Sequence, residues 1–309
     1  MIYDMEAMFE RNNMLAWIMH AAWGGLPGTV PPERVQRSVE IAKKYLAERH
    51  IHPEVQAVFL TGWCDGRWLI EELKSRNIPP RDIFYTGLLT ENDNGEVWSP
   101  FDQRIIWPIT TVDGKVAAFC GRTLTNDKRR KYLNSSDSKV YRKREIPFGL
   151  QQALPAILRT GRMIFVEGQL DVLAMHTMGI RETVAVCGSS PSYAHVMYAK
   201  WLSATAYCLF DGDEAGQRAG REMYRLCSNL KVPVKYATLA EGDPCDMLRH
   251  SDAAQRMGAL LESATEELHG TTAKKEEAPR VYTRPDEGND AASPVDTGDV
   301  ESQTSLIPV

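Results

Sequence analysis

From residue 163 onward, short apolar runs alternate with helical stretches, and this rhythm constrains the fold more than any other feature. "MIFVEG" precedes a helical stretch near 169–178, and "TVAVCG" precedes one near 192–203. "AYCLFDGD" comes next, then a helical stretch near 214–229 and "VKYATL" at 234–239. Short strands separated by helices pack as a parallel sheet in an α/β layer architecture. Three strands stop on acids: Glu167 after the first, Asp211 and Asp213 after the third, and Asp243 beyond the fourth. Ligands of open α/β sheets sit beyond the carboxyl ends of the strands, so four carboxylates are expected around one crevice. Asp171 lies one helical turn past Glu167 and joins them.

Acids after strands often act only as loop residues or helix caps. Three strands ending alike point instead to a bound cation. Oxygen donors at short range suit a hard ion, and Mg²⁺ keeps several waters while sharing substrate phosphates. Gly168, Gly212 and Gly216 let the backbone turn tightly beside it. Asp211, Asp213, Gly216 and Glu222 also fit positions 1, 3, 6 and 12 of an EF-hand calcium loop. Ala215 stands where that loop needs a side-chain ligand, and "AYCLF" reads as a strand where it needs a helix. Calcium is therefore set aside.

Upstream, "MLAWIMHAAW" (14–23) reads as a buried or partner-facing helix, and "GGLPGTVPPE" (24–33) as a linker. Val35, Val39, Ala42 and Leu46 fall at helical intervals over 34–48, and a further helix is expected at 67–77. Within 103–124, two β-rich runs flank Asp113-Gly114, a hairpin signal. The stretch "KRRKYLNSSDSKVYRKR" (128–144) holds eight Lys/Arg against Asp137 alone. Tyr132 and Asn134 inside it, beside a metal site, favour a phosphate-gripping surface over a merely solvated face, with Arg104 as a further member. His50, His52, His195 and His250 show no ligand spacing. Past residue 265 apolar content collapses, and a disordered tail is expected.

Composition excludes several classes. The 309 residues are 43% hydrophobic and 25% charged, as in ordinary globular proteins. A net charge of −5 does not mark the whole chain as nucleic-acid-binding, so any such surface is local. The six cysteines never form a C-x-x-C pair, which argues against zinc and for reduced thiols in a cytosolic protein. The longest early apolar run is too short for a membrane span, and no basic segment precedes it as a signal peptide would require. No Walker A pattern is present, so a P-loop motor is excluded.

The ordered set "RIIWPI", "GKVAAFCGRTL", "RKYLNSSDSKVYRK", "FGL", "MIFVEGQLDVLAMHTMGI", "AVCGSS", "CLFDGDEAGQRAG" and "EGDPCDMLR" resembles the DnaG-type bacterial and phage primases. "AKKYLAERHIHPEVQAVFLTGW" extends the likeness, which covers about 40–250. The resemblance implies a Toprim domain at 156–264 behind an α+β amino-terminal catalytic subdomain at 34–155, between an N-terminal helix and linker (1–33) and the tail (265–309). It implies synthesis of RNA primers from ribonucleoside triphosphates on a single-stranded DNA template, by a nucleotidyltransferase using Mg²⁺ or Mn²⁺. By position, Glu167, Asp211 and Asp213 match the family's acidic metal site, and Asp171 and Asp243 its supporting acids. Arg122, Lys131, Tyr132, Asn134 and Lys143 fall on segments implicated in holding nucleotide or template.

Departures from the family pattern carry expectations too. The family's zinc ribbon and helicase-binding domain find no counterpart here, so a separate zinc-binding component and a replicative helicase are the expected partners. A bacteriophage system acting in a bacterial cytoplasm is expected, with no membrane. Cys245 stands where an acid or Asn is usual, and two readings follow. Asp246 turns inward after Pro244 and takes over as a ligand, or Asp243 serves the third strand end alone and Asp246 is the N-cap of "DMLR"; the second is the preferred expectation. Other Toprim enzymes, of nuclease or topoisomerase type, and a non-catalytic replisome adaptor are the rival readings.

Overall fold

The structure is a computed structural model that describes residues 4–24, 30–125, 130–187, 190–239 and 242–266. Residues 25–29 of the expected linker fall outside these residues, as do Lys128, Arg129 and the tail past 266.

The chain opens with α1 (Met5–Ala22), α2 (Glu33–Ala47), α3 (Pro53–Val58), β1 (Gly62–Cys64) and α4 (Gly66–Ser75). A 3₁₀ turn at Pro80–Thr86 leads to a small ribbon of β2 (Thr90–Glu91) and β3 (Val97–Trp98). The hairpin expected around Asp113-Gly114 forms from β4 (Arg104–Thr110) and β5 (Val116–Thr123), with Gly114 in the left-handed region. β6 (Tyr132–Asn134) completes an antiparallel sheet of order β1-β4-β5-β6.

After α5 (Leu150–Thr160) the rhythm read from the sequence appears: β7 (Arg162–Val166), α6 (Gln169–Thr177), β8 (Thr183–Ala185), α7 (Tyr193–Trp201), β9 (Thr205–Cys208), α8 (Glu214–Leu230) and β10 (Val234–Tyr236). These four strands form a parallel sheet of order β10-β9-β7-β8. Two short helices, α9 (Pro244–Met247) and α10 (Ala253–Glu262), follow. No described helix is long and apolar enough to cross a membrane.

Both faces of the parallel sheet are covered, which its period-two side chains make visible. Met163 and Phe165 of β7 pack with Leu150 and Ile157 of α5, Val196 of α7 and Met223 of α8. Ile164 and Val166 point the other way, into a core shared with α6, α10 and the amino-terminal sheet. That second core is continuous from Leu15 of α1 to Leu261 of α10, so the two sheets are buried against one hydrophobic mass.

α1 lies close against the antiparallel sheet. Its Asn12 donates to the carbonyls of Val116 and Ala117 at 2.9 and 3.0 Å. Gly62 of β1 allows the approach, because a Cβ there would stand 2.7 Å from the Met19 carbonyl carbon. Gly62→Ala should therefore destabilise the fold by about 1–3 kcal/mol, as overpacking against backbone does. A thermal-unfolding midpoint equal to the parent's would show that α1 is free to move away.

Candidate active site

The strand order explains why the acids converge. β10, β9 and β7 are neighbours, and the chain leaves each at the same edge of the sheet. Glu167, Asp171, Asp213 and Asp243 are each then fixed by a backbone N–H. Asp211 N–H donates to Glu167 Oε1 at 3.0 Å, Gly216 N–H to Asp213 at 2.8 Å, Gly168 N–H to Asp171 at 2.8 Å, and Asp246 N–H to Asp243 at 2.8 Å. Asp213 thereby caps α8 and Asp243 caps α9. The cap expected at Asp246 is corrected: Asp243 fills it, and Asp246 lies within α9 paired with Arg249 at 2.9 Å. Proline at the first helical position places the helix start three residues earlier than the "DMLR" pattern suggests.

Burial, with charge crowding, raises the proton affinity of Glu167, Asp171 and Asp211. Burial pushes the Asp171 carboxyl up to about 8, with the Asp243 charge next in importance. Asp211 is pushed up to about 6 by burial and by the charges of Glu167, Asp243 and Asp213. Glu167 is raised by burial, against the opposing effect of the Asp211 N–H. Asp213 itself is exposed, yet its charge acts on both Glu167 and Asp211.

A cleft of about 300 Å³ lies beside these acids, with Glu167, Asp171, Asp211 and Asp243 on one wall. The opposite wall comes from the antiparallel sheet. Arg122 of β5 stands directly across from Tyr132 of β6, and Cys120 from Asn134, so Arg122, Tyr132 and Asn134 share one face. Lys131 also lines this wall. Arg104 stands across from Thr123 and thus on the other face from Arg122. It is buried and donates to the carbonyls of Arg130 and Lys131 at 2.9 and 3.3 Å, so it braces the basic segment and does not reach the cleft. Lys143 lies outside the lining as well; its backbone N–H donates to Asp137, and its charge acts on Cys187 at the cleft edge.

Sequence reasoning missed Tyr45, Arg49 and Gln169. The Arg49 guanidinium lies 3.8 Å over the Tyr45 ring, and Arg122 sits 5.0 Å from Tyr45 and 4.9 Å from Tyr132. Cations and rings thus alternate along the wall. The i,i+4 spacing of Tyr45 and Arg49 at the end of α2 was the available signal. Gln169, at the start of α6, donates to Asn134 at 3.4 Å and ties the two walls together.

An α/β sheet whose strand ends gather carboxylates against a basic, aromatic wall defines a Toprim-containing enzyme core. Residues 33–154 match the family described as DNA primase catalytic core, N-terminal domain, and residues 164–248 match the Toprim-like family. The DNA primase of Mycolicibacterium smegmatis is 31% identical over 228 residues, covering 70% of this chain and 36% of that protein. The Aquifex aeolicus DNA primase is 30% identical, covering 75% of this chain and 49% of that protein. The RNA polymerase domain of Mycobacterium tuberculosis primase DnaG superposes with a TM-score of 0.74 at 25% identity, covering 85% of each chain. A DnaG primase catalytic domain bound to single-stranded DNA gives 0.71 at 27%, covering 83% of this chain and 80% of that one. The chain belongs to the DnaG primase family, and residues 33–248 carry its catalytic-core domains. It spans about a third to a half of the length of these two curated relatives.

Two predictions follow from the geometry. A Cβ on Gly216 would overlap the Asp211 carbonyl oxygen and lie 2.8 Å from Glu167 Oε1, so Gly216→Ala should displace both carboxylates. Its divalent-ion affinity, read by calorimetry, should fall while the far-ultraviolet spectrum stays native; undiminished affinity would contradict the close packing. The second concerns pH. Folded-state pKa values above 3.8 stabilise the fold fully below that pH, and the contribution is lost as pH rises through about 6 for Asp211 and about 8 for Asp171. The metal-free melting temperature should fall across this window less in Asp171→Asn than in the parent. Mn²⁺ should raise the parent's melting temperature most at the alkaline end. Parallel profiles for the two proteins would show that Asp171 titrates normally.

Proposed function

We propose that this chain is a primase catalytic core that joins ribonucleotides into primers on single-stranded DNA. A primer 3′-hydroxyl attacks the α-phosphate of an incoming ribonucleoside triphosphate, and pyrophosphate leaves. The observation that carries the reading is the pairing of the two walls, oxygen donors facing a ladder of cations and rings across one small cleft. The raised Asp211 and Asp171 carboxyls support an acidic site that ionises fully only beside a cation. Mg²⁺ or Mn²⁺ held by Glu167, Asp211 and Asp213, with Asp171 and Asp243 in support, would polarise the phosphoryl oxygens and steady the leaving group.

The chain's own residues do the holding. Arg49, Arg122 and Lys131 bind the triphosphate, and stacking on Tyr45 and Tyr132 keeps the two guanidinium planes oriented before substrate arrives. Asn134, fixed by Gln169, offers a hydrogen bond to the nucleotide. Lys143 lies farther out, where template phosphates would pass. Arg104 acts only through the segment it braces.

The same reading includes a subdomain division at 34–155 and 156–264; α5 spans that boundary as an unbroken helix. A replicative helicase and a separate zinc-binding component are its partners, and a bacterial cytoplasm under phage control is its setting. The family likeness is what supports these.

Ribonucleotide incorporation on single-stranded DNA with Mg²⁺ or Mn²⁺ tests the proposal. The parent should extend; Glu167→Gln and Asp211→Asn should lose about 10²-fold or more, as when transition-state charge stabilisation is removed. Lys131→Ala should weaken DNA binding and lower its salt slope by about one unit, since one phosphate contact is lost. An inactive parent, or active acidic variants, would overturn the assignment.

A further inference from the structure

Cys245 does not fit the ion that the rest of the site suits. Its thiol is buried at the start of α9, and its Sγ donates to the Leu170 carbonyl at 3.3 Å. Ligand atoms of Asp171, Asp243 and Cys245 all lie within 4.8 Å of one another. Each carboxylate commits one oxygen to a backbone N–H, from Gly168 and from Asp246, which leaves the other oxygen available. Two carboxylate oxygens and a thiol at this range, converging on the cleft, are a mixed donor set.

We propose that Asp171, Asp243 and Cys245 form a site for a thiophilic divalent cation of the zinc class, beside the all-oxygen site of Glu167 and Asp211. Zn²⁺ accepts sulfur at about 2.3 Å and carboxylate oxygen at about 2.0–2.2 Å, so the three ligands need contract by only about 1 Å from where they stand. Mg²⁺ rejects a thiol. The sequence argument against zinc rested on missing cysteine pairs, and it does not reach a single cysteine flanked by two carboxylates. On binding, the thiol releases its proton to solvent and its sulfur leaves the Leu170 carbonyl. The ion then occupies two acids that support the catalytic site, so it acts as an inhibitor of primer synthesis. That consequence rests on the proposed function; the binding itself does not.

Cobalt titration of the metal-stripped full chain separates the two. Co²⁺ should give a near-ultraviolet thiolate-to-metal charge-transfer band at one equivalent, displaced by Zn²⁺ and untouched by excess Mg²⁺. Cys245→Ser should abolish the band and weaken Co²⁺ binding about tenfold or more. Cys187→Ser and Asp246→Asn should keep it. Thermal melts establish that each variant is folded, and Cys245→Ala replaces Cys245→Ser should the latter unfold. A parent without the band, or a band that survives in a folded Cys245 variant, overturns the site. If the parent makes primers, Zn²⁺ should inhibit it at concentrations that leave Cys245→Ala unaffected. Equal inhibition of both proteins would overturn the regulatory role while leaving the site to the cobalt result.

Discussion

Carboxylates gathered at neighbouring strand ends repel one another, and the rest of the structure depends on how that repulsion is held in check. Each of Glu167, Asp171, Asp213 and Asp243 accepts one backbone N–H, supplied by the turn that its own strand enters or by the adjacent one. These bonds fix position without supplying a full positive charge. Asp211 and Asp171 therefore stay poised toward the protonated form, and only a cation satisfies the group as a whole. Gly216 makes the packing possible, since any side chain there would displace the Asp211 carbonyl and Glu167 together.

The opposite wall solves the complementary problem of keeping positive charges near each other and ready. Arg49 and Arg122 both lie against the Tyr45 ring, and Arg122 faces Tyr132 across the β5–β6 ladder. Ring faces attract guanidinium groups while leaving their N–H edges for an anion. Gln169 spans from α6 to Asn134, so the basic wall and the acidic wall share a hydrogen bond as well as a core. The cleft is thus set by two sheets that cannot shift independently.

The alternation of strands and helices after residue 163 was legible because parallel strands buried on both faces read as plain apolar runs, and β7 shows both faces filled. The hairpin was legible from Asp113-Gly114. Arg104 was misplaced because its membership of the basic surface was read without the sheet register; the pairing against Thr123, set by the fold, sends it away from Arg122. Asp246 was given the cap because the acid–apolar–apolar run "DMLR" resembles a helix start, whereas the cap lies before the proline, at Asp243. Tyr45 and Arg49 escaped notice because they lie far from the acids in sequence, and only the fold brings the end of α2 to the cleft.

The central claim is that the two walls act on one nucleotide, and a double-mutant cycle on ribonucleoside triphosphate affinity tests it most directly. Glu167→Gln and Arg122→Ala would be made singly and together, and binding measured with Mn²⁺ present. The account predicts that the double variant loses less than the sum of the singles, with a coupling of about 0.5–3 kcal/mol, because metal and guanidinium grip the same triphosphate. Additivity within about 0.3–0.5 kcal/mol would mean that the walls serve different ligands, and would contradict it.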